Sequence, residues 1–385
     1  MRLQLTPRAW LSAVLVLAAV APARADGSLE LRTVYYKERS TRVIQPMLDG
    51  MFDAGAHGLI VAHFLVDAIT SASVGSGAAN ATPFTEKRYE AGAGYTRELQ
   101  PLRLKADGKY STEPDYQSLY GGIGAEIDLN EKNTVLGVTG GYSHDEVESA
   151  SAQGPYVPPY PCLAAGDHCN VHTTSGFASV SQILSRNLVV GGSYDIAKID
   201  GFQQNAYRLV LTSTTFVPER HPDDRTRQSF AVSARYYLPA SQTTFIAAYR
   251  YYRDDWHIHA HTPELRIVQE VGRFADATFG YRYYRQNAAF FYEERYPSPI
   301  AADNKFPTCG GLTKDGTPCF SDDPKMSAFD GHTLTAKLGV LGEEFDLGGM
   351  WAGARFEGIL EYIVQHNRFG NAVVANVALT LPFDY

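Results

Sequence analysis

Apolar and polar residues alternate along much of this chain, most clearly at its C-terminal end. In the run VVANVALTLPFDY, every second residue counted back from Tyr385 is apolar or aromatic, and the other phase carries Asn376, Thr380 and Asp384. Successive side chains of a β-strand point to opposite faces, so this run predicts a strand with one apolar face. Both a lipid-facing strand and a half-buried strand of a soluble protein would show this pattern.

The same alternation recurs in runs of about ten residues, the length of a transmembrane β-strand. In RYEAGAGYT, Tyr89 and Tyr95 share one side with two alanines, whereas Arg88 and Glu90 lie on the other. A lipid-compatible side opposite a charged side is the pattern of a barrel strand in a membrane. Such runs predict sixteen strands, give or take about two, at 28–38, 41–53, 58–70, 85–98, 101–112, 115–129, 133–147, 171–185, 187–199, 225–238, 243–255, 259–271, 274–287, 329–342, 350–366 and 371–385.

The connections between these runs provide an independent test. If both termini lie on one side, every second connection lies there too, and those read DAGAHG, RELQP, NEKN, SRN, PASQ, GR and EEFDLG. The alternate set holds every long connection, at 70–84, 148–170, 200–224 and 288–328. Short periplasmic turns and long extracellular loops are typical of outer-membrane barrels, whereas a soluble sandwich gives no reason for the segregation.

The N-terminal residues predict export. Two early arginines, Arg2 and Arg8, precede a short apolar core and the small-x-small site Ala23-Arg24-Ala25. Because the apolar run is too short for a transmembrane helix, we interpret it as a secretory signal peptide. We expect two segments, a signal peptide at 1–25 and an outer-membrane β-barrel at 26–385.

Composition supports this fold and excludes one class of partner. The chain has 24 Tyr, 19 Phe and 34 Gly, and such content in short alternating runs favours an all-β protein. Because 42 acidic residues exceed 34 basic ones, nucleic acid is not expected as a partner. We predict a single transmembrane antiparallel β-barrel of about 16 strands in the outer membrane of a Gram-negative bacterium.

The C-terminal strand also predicts partners. A closing strand that ends on an aromatic residue, here Tyr385 in an exported chain, is similar to the C-terminal signature of bacterial outer-membrane barrels. We therefore expect contact with outer-membrane lipid, and recognition of the last strand by the barrel assembly machinery.

Three stretches of the second half carry a family resemblance. They read FVPERHPDDRTR (Phe216–Arg227), YRYYRDDW (Tyr249–Trp256) and HTPEL (His261–Leu265), and two N-terminal stretches, YYKERSTRVIQPML and LVDAITSAS, join them. Together they resemble a family of Gram-negative outer-membrane β-barrels catalogued as a domain of unknown function. The resemblance implies a barrel sometimes encoded beside periplasmic redox proteins, and hence a periplasmic redox or lipoprotein partner as one option. It implies no catalytic residue, and we expect no cofactor.

The stretch AYRYYRDDWHIHAH raises the question of metal binding. His257, His259 and His261 alternate, as three ligands on one strand face would. Their phase is that of Leu265 and Ile267, so a regular strand would point them outward above the membrane. We interpret them as part of a water-exposed extracellular hairpin and keep a surface Zn²⁺ site as the weaker alternative.

The neighbouring carboxylates raise the question of hydrolysis. Asp254 and Asp255 beside His261 could in principle activate a water molecule at the barrel rim. The run HPDD, His221–Asp224, is interpreted as a turn with proline at its centre, with a set of metal ligands as the weaker alternative. His63 and Asp67 share the inward face of the third strand, where they are expected to pair or to sit in water.

Alternation assigns many charges to the barrel interior. Their signs are mixed, so they predict no strong ion preference, and they are tolerated if water lines the lumen. The predicted inward charges are Arg88, Glu90, Arg103, Lys105, Asp107, Glu126, Asp195, Arg235, Arg250, Asp254, Glu264, Arg266, Arg282, Lys337, Arg355, Glu357 and Glu361.

Four cysteines in an exported chain predict two disulfides. Cys162 and Cys169 fall in one long loop, and Cys309 and Cys319 fall in another. Three pairings can be drawn, but sequence proximity favours Cys162–Cys169 and Cys309–Cys319. Redox chemistry is the alternative, although neither pair has C-x-x-C spacing.

The sequence favours a pore or transport barrel that is not an enzyme. No phosphate loop, nucleotide fingerprint or nucleophile elbow is present. The alternative is a structural or interaction barrel that binds a partner through its loops or its periplasmic face, and a rim hydrolase ranks third. The pattern does not decide whether the lumen is open.

Overall fold

The computed structural model describes residues 26–39, 41–72, 83–148, 168–205, 208–211, 216–296, 318–348 and 351–383. Sixteen strands of this part of the chain form one closed antiparallel barrel, and two short strands form a separate hairpin. The barrel strands are β1 Gly27–Lys37, β2 Thr41–Asp53, β3 Gly58–Ala72, β4 Pro83–Leu99, β5 Leu102–Glu113, β6 Tyr116–Leu129, β7 Thr134–Glu148, β8 His168–Ser185, β9 Leu188–Gly201, β12 Asp224–Leu238, β13 Thr243–Asp254, β14 His259–Val271, β15 Ala275–Gln286, β16 Phe329–Leu341, β17 Arg355–Gln365 and β18 Ala372–Phe383; the hairpin is β10 Leu209–Leu211 with β11 Phe216–Pro218. The predicted fold class and strand number are confirmed.

The largest departure from the predicted bounds is at β17, which begins at Arg355 and not at 350. A 3₁₀ helix, Gly342–Phe345, starts this connection. The Gly342 N–H donates to the Ala354 carbonyl at 2.7 Å, and the Glu343 N–H donates to that of Ala352 at 3.1 Å. These bonds occupy backbone groups that a strand ladder would need, so the strand starts later.

The barrel closes through its first and last strands. β1 pairs with β18 from Gly27 opposite Phe383 to Lys37 opposite Val373, while its other edge pairs with β2. A closed sheet leaves no strand edge unpaired, which lipid requires because it offers no hydrogen bonds to the backbone. At the terminus end, the rings of Phe52 and Phe383 lie 5.9 Å apart.

The outer face is apolar. Large side chains on one strand phase are exposed, among them Ile123 at 71%, Val377 at 62% and Phe279 at 62%. A continuous belt of exposed apolar side chains fits a lipid-facing surface and not a watery one. No helix among the described residues is long and apolar enough to span a membrane.

The two ends of the barrel differ. Both termini lie at one end, where β2–β3, β4–β5 and β8–β9 are joined by turns at 54–57, 100–101 and 186–187. The long connections at 202–223 and 287–328 lie at the other end, which we call the loop end. The predicted signal peptide, residues 1–25, lies outside the described residues and stays a prediction.

Removal of Phe383, Asp384 and Tyr385 should impair assembly of the barrel. Phe383 closes the ladder onto Gly27 and packs on Phe52, and the truncation shortens the strand that we expect the assembly machinery to recognise. The measurement is the outer-membrane level of the truncated protein, together with the heat-dependent shift of its mobility in SDS. Normal levels of a folded, truncated barrel would contradict the prediction.

Candidate functional site

Many inward charges are paired across neighbouring strands. Arg88 of β4 contacts Asp67 of β3 at 2.7 Å, and Arg103 of β5 contacts Glu126 and Asp128 of β6 at 3.1 and 2.7 Å. Opposite charges on adjacent strands of one face lie within reach of each other, which favours such pairs. Further ion pairs join Lys105 to Glu126, Lys109 to Glu90, Arg266 to Glu264, Lys337 to Glu357, and Arg355 to Asp276 and Glu357.

The inner face leaves room for water. A cavity of about 460 Å³ is bordered by inward residues of β1 to β5, including Glu30, Asp49, His63 and Lys109. His63 bridges two carboxylates, with Nδ1 2.5 Å from Asp49 and Nε2 3.7 Å from Glu90. The Lys109 side chain is 46% exposed although it is paired with Glu90. Part of the wall charge, such as Lys109, is therefore open to solvent, whereas Asp67 and Glu90 are buried beside their partners.

Arginine is concentrated on the wall formed by β12 to β15. Arg235, Arg250, Arg266 and Arg282 lie on the inward phase of these four neighbouring strands. Glu264 lies opposite Arg282 and is ion-paired with Arg266 at 2.7 Å. Within the described residues, Arg235 and Arg250 have no carboxylate partner and are exposed. We call these four residues the arginine wall.

A buried polar cluster joins the two longest loops at the loop end. We call it the mouth network, and its members are Arg208, Glu219, His221, Ser321, Asp322 and Asp323. Glu219 is completely buried, and its carboxylate accepts hydrogen bonds from the Asn205 N–H at 2.8 Å and from the Ser321 hydroxyl at 2.7 Å. His221 Nε2 lies 3.3 Å from the same carboxylate.

Arg208 supplies the positive charge of the mouth network. Its guanidinium lies 3.6 Å from Glu219, 3.7 Å from Asp322 and 3.5 Å from Asp323. The bond between Glu219 and Ser321 spans 102 positions of sequence. The network therefore fixes the 202–223 loop to the 287–328 loop across the loop end.

The mouth network shifts the pKa values of two carboxyl groups, Glu219 and Asp322, in opposite directions. Burial alone would raise the pKa of Glu219, but His221, Arg208 and the Ser321 hydroxyl hold it below its usual range. Burial raises the pKa of Asp322, and the nearby Arg208 opposes that rise only in part. Glu219 therefore stays ionised to a lower pH than an ordinary glutamate, whereas Asp322 accepts a proton more readily than an ordinary aspartate.

Aromatic rings pack beneath this network. His221 contacts the rings of Trp256 and Phe291 at 5.1 and 5.3 Å, and Trp256 contacts Phe291 edge to face at 5.2 Å. The Nδ1 of His221 lies 3.0 Å from the Gln203 carbonyl. The predicted HPDD turn is thus a packed structural element, with His221 buried rather than open to a metal.

Asp254 locks the β13–β14 hairpin onto β12. Its carboxylate accepts bonds from Arg225 at 2.5 and 3.0 Å, from the Tyr252 hydroxyl at 2.7 Å and from the Ile258 N–H at 2.9 Å. The Arg225 guanidinium also lies 3.9 Å from the centre of the Trp256 ring, a cation–π contact. Asp254 has the inward phase expected of it, but its side chain is buried and paired with Arg225, so it is not a solvent-exposed charge of the lumen.

The adjacent Asp255 is also used structurally, since it accepts the Thr226 N–H at 2.8 Å. His261 is turned the other way, with Nδ1 2.6 Å from the Tyr249 hydroxyl on the outer face. The three groups of the rim-hydrolase hypothesis therefore have separate structural partners.

The three histidines of the AYRYYRDDWHIHAH stretch do not converge. His259 and His261 lie on the outward phase of β14 and contact Tyr251 and Tyr249. His257 precedes the strand and packs on Phe290 at 5.3 Å between ring centres. Within the described residues, the three side chains that could share a metal ion lie elsewhere, at Asp330, His332 and His366.

The cysteine pairing stays a prediction. Cys169 and Cys319 are buried and neither is a free thiol, but Cys162 and Cys309 lie outside the described residues. Cys169 packs with Val171 and Phe202, whereas Cys319 packs with the Trp256 and Phe291 rings.

The model of one protein family matches residues 76–362, a family described as "Protein of unknown function (DUF3570)". The chain belongs to this family. The match includes the three stretches between Phe216 and Leu265, and it begins after the two N-terminal stretches. The predicted relation to a family of unknown function is confirmed, whereas the individual stretches are not tested. No curated protein matches the chain.

Several solved structures align with this chain over nearly its whole length. "Bacterial polysaccharide outer membrane secretin" aligns with a TM-score of 0.52 at 9% identity, covering 93% of this chain and 98% of that chain. CdiB from Acinetobacter baumannii aligns with a TM-score of 0.50 at 8% identity, covering 94% and 61%. OprD from Pseudomonas aeruginosa aligns at 0.46 and 9%, covering 95% and 97%. At such identity the likeness shows the fold alone: the DUF3570 chain has the closed β-barrel fold.

The family stretches meet in space. Arg225 of the first stretch pairs with Asp254 of the second, and the Asp224 backbone carbonyl accepts a bond from the Trp256 indole N–H at 3.1 Å. The mouth network was missed by sequence reasoning because its loops carry no periodic pattern. The usable signal was the density of charge and aromatic residues in PERHPDD and, after Cys319, in FSDD.

Proposed function

We propose that this protein is a water-filled outer-membrane pore whose arginine wall favours small anionic solutes. The supporting observation is that the inner wall of a closed sixteen-strand barrel carries solvated charges, among which Arg235 and Arg250 have no carboxylate partner within the described residues. Pore-lining charge of one sign attracts solutes of the opposite sign.

The arrangement of charge explains why mixed signs still give a preference. The paired charges on β3 to β6, such as Arg88 with Asp67, largely cancel at a distance. On the arginine wall, Glu264 forms an ion pair with one of the four guanidiniums, that of Arg266. A carboxylate or phosphate could therefore move from one guanidinium to the next along this wall, since guanidinium binds both groups in a bidentate manner.

The mouth network would limit the size of the solutes. It holds loops from both sides of the loop end together through buried charges and hydrogen bonds. The structural or interaction barrel remains the alternative, and a periplasmic redox or lipoprotein partner belongs to that alternative. A rim hydrolase has less support, since Asp254 and Asp255 hold the hairpin.

The test is conductance and ion selectivity of the purified mature chain in a planar bilayer. The wild type should conduct, and its reversal potential in a KCl gradient should favour chloride. The double variant Arg250→Gln/Arg282→Gln should lower the chloride-to-potassium permeability ratio several-fold, because it removes two lumen charges.

The chain offers a matched control. Arg253 and Arg285 occupy the same strands as Arg250 and Arg282 but have the outward phase. Arg253→Gln/Arg285→Gln should leave selectivity unchanged. Absence of conductance would favour the interaction barrel, and conductance with equal selectivity in all three proteins would remove the role of the arginine wall.

A further inference from the structure

We propose that Asp330, His332 and His366 form a binding site for a divalent transition-metal ion of the Zn²⁺ type. The site would lie on the outer surface of the barrel at its loop end. It is separate from the lumen and from the mouth network, and its three side chains belong to none of the family stretches.

The barrel geometry brings the three residues together. Asp330 and His332 are two positions apart on β16 and so share its outward face, with Leu334 following on the same face. His366 follows the end of β17, and its N–H donates to the Asp330 carbonyl at 3.0 Å. This bond extends the β16–β17 ladder by one step, which places His366 directly across from Asp330.

The distances suit one metal ion. One candidate ligand atom from each residue lies within 4.8 Å of the other two. Asp330 Oδ2 lies 2.9 Å from His366 Nδ1 and 3.7 Å from His332 Nε2. Metal–ligand bonds of about 2.0–2.1 Å in a tetrahedron imply about 3.3 Å between ligand atoms, a value between the two observed distances.

A neighbouring tyrosine orients one ligand. The Tyr281 hydroxyl lies 2.8 Å from His332 Nδ1, so the ring presents Nε2 toward Asp330. Metal-binding histidines typically use their second nitrogen in this way, which fixes the ring before the metal arrives. Here the fixing group belongs to β15, the strand on the other side of β16.

The ligand set selects the class of metal. Two imidazoles and one carboxylate suit Zn²⁺ and its neighbours among the transition metals, whereas Ca²⁺ and Mg²⁺ require mainly oxygen ligands. Three protein ligands leave a fourth position for water or for an anionic group. Arg285 lies across from Asp330 on β15, but the close contacts of the Asp330 carboxylate are with the two histidine rings.

The experiment uses the tag-free mature chain, folded in detergent and freed of metal by a chelator. Titration with Zn²⁺ in a calorimeter should show one ion per chain, and Co²⁺ should give the absorption of a tetrahedral site. His332→Ala and His366→Ala should each weaken Zn²⁺ binding at least about tenfold, and Tyr281→Phe should weaken it by a similar or smaller factor.

His261→Ala is the matched control, since His261 is also outward-facing and its Nδ1 also contacts a tyrosine hydroxyl, that of Tyr249. It should leave Zn²⁺ binding unchanged. The heat-dependent mobility of each variant in SDS reports whether the barrel has folded. Failure of the wild type to bind Zn²⁺ overturns the proposal without any variant. An equal loss in His261→Ala would also overturn it, because binding would then belong to surface histidines in general.

Discussion

Glu219→Ala should open the loop end while the barrel stays folded. The substitution removes a completely buried carboxylate and leaves the Asn205 N–H, the Ser321 hydroxyl and part of the Arg208 charge without their acceptor. Breaking a buried pair on one side costs about 3–5 kcal/mol. The barrel ladder does not pass through these loops, so the cost falls on the loop assembly.

Limited trypsin digestion measures this opening. A loss of about 3 kcal/mol raises the open population about a hundredfold, and cleavage follows that population when opening and closing are fast. We therefore expect faster cleavage after Arg208 and Arg220, together with larger conductance. Glu294→Ala is the control, because Glu294 belongs to the same loop region and its side chain is 78% exposed. Equal cleavage of the two variants would show that the mouth network does not hold the loops.

The effect of Glu219 should also depend on pH. Its pKa in the folded protein is below its usual range, so its contribution to stability is present above the unfolded pKa of about 4.3. That contribution is lost as the pH falls through the lower, folded pKa. The difference between wild type and Glu219→Ala should therefore be constant near neutral pH and shrink only in strong acid. A difference already lost by pH 6 would contradict the assignment.

Asp254→Ala should release the tip of the β13–β14 hairpin. It leaves Arg225 without its carboxylate and frees the Tyr252 hydroxyl and the Ile258 N–H, with a local cost again of about 3–5 kcal/mol. Trp256 reports the change, because it is buried against Arg225 and should move toward water. The measurement is a red shift of tryptophan emission, with Trp351→Phe as background to remove the other tryptophan of the barrel.

A double-mutant cycle separates this lock from a general loss of packing. Arg225→Leu and Asp254→Leu should each lower the midpoint of hairpin melting, and the double variant should be less damaged than the sum of the two. Additive effects would show that the Arg225–Asp254 pair is not the source of the stability. Asp255→Asn, in which one acceptor oxygen remains for the Thr226 N–H, should have the smaller effect.

The positions of the strands could be predicted because the two-residue period is local. The run at 225–238 is observed as Asp224–Leu238, and that at 243–255 as Thr243–Asp254. Because every second side chain of a strand must face lipid, the apolar pattern is visible within a single strand. The late start of β17 could not be seen this way, because it depends on the backbone bonds of Gly342 and Glu343.

The contacts at the loop end depended on information that one strand does not contain. Glu219 and Ser321 meet across 102 positions, and no period links the two loops. The Arg225–Asp254 pair is easier to predict, since the two residues belong to adjacent strands. Its exact register, however, depends on the 239–242 turn. For the same reason, the Asp330–His366 pairing appears only when the register of β16 and β17 is known.

Because the first and last strands are paired, the order of the strands along the chain can be changed without changing their order in the sheet. Gly27 and Phe383 are partners, so a short linker could join the two ends and the chain could be reopened at the turn after Val271. Such a circular permutant keeps every strand neighbour but ends on β14 instead of β18. It would therefore show whether β18 is needed for its place in the ladder or for its position after the other strands along the chain.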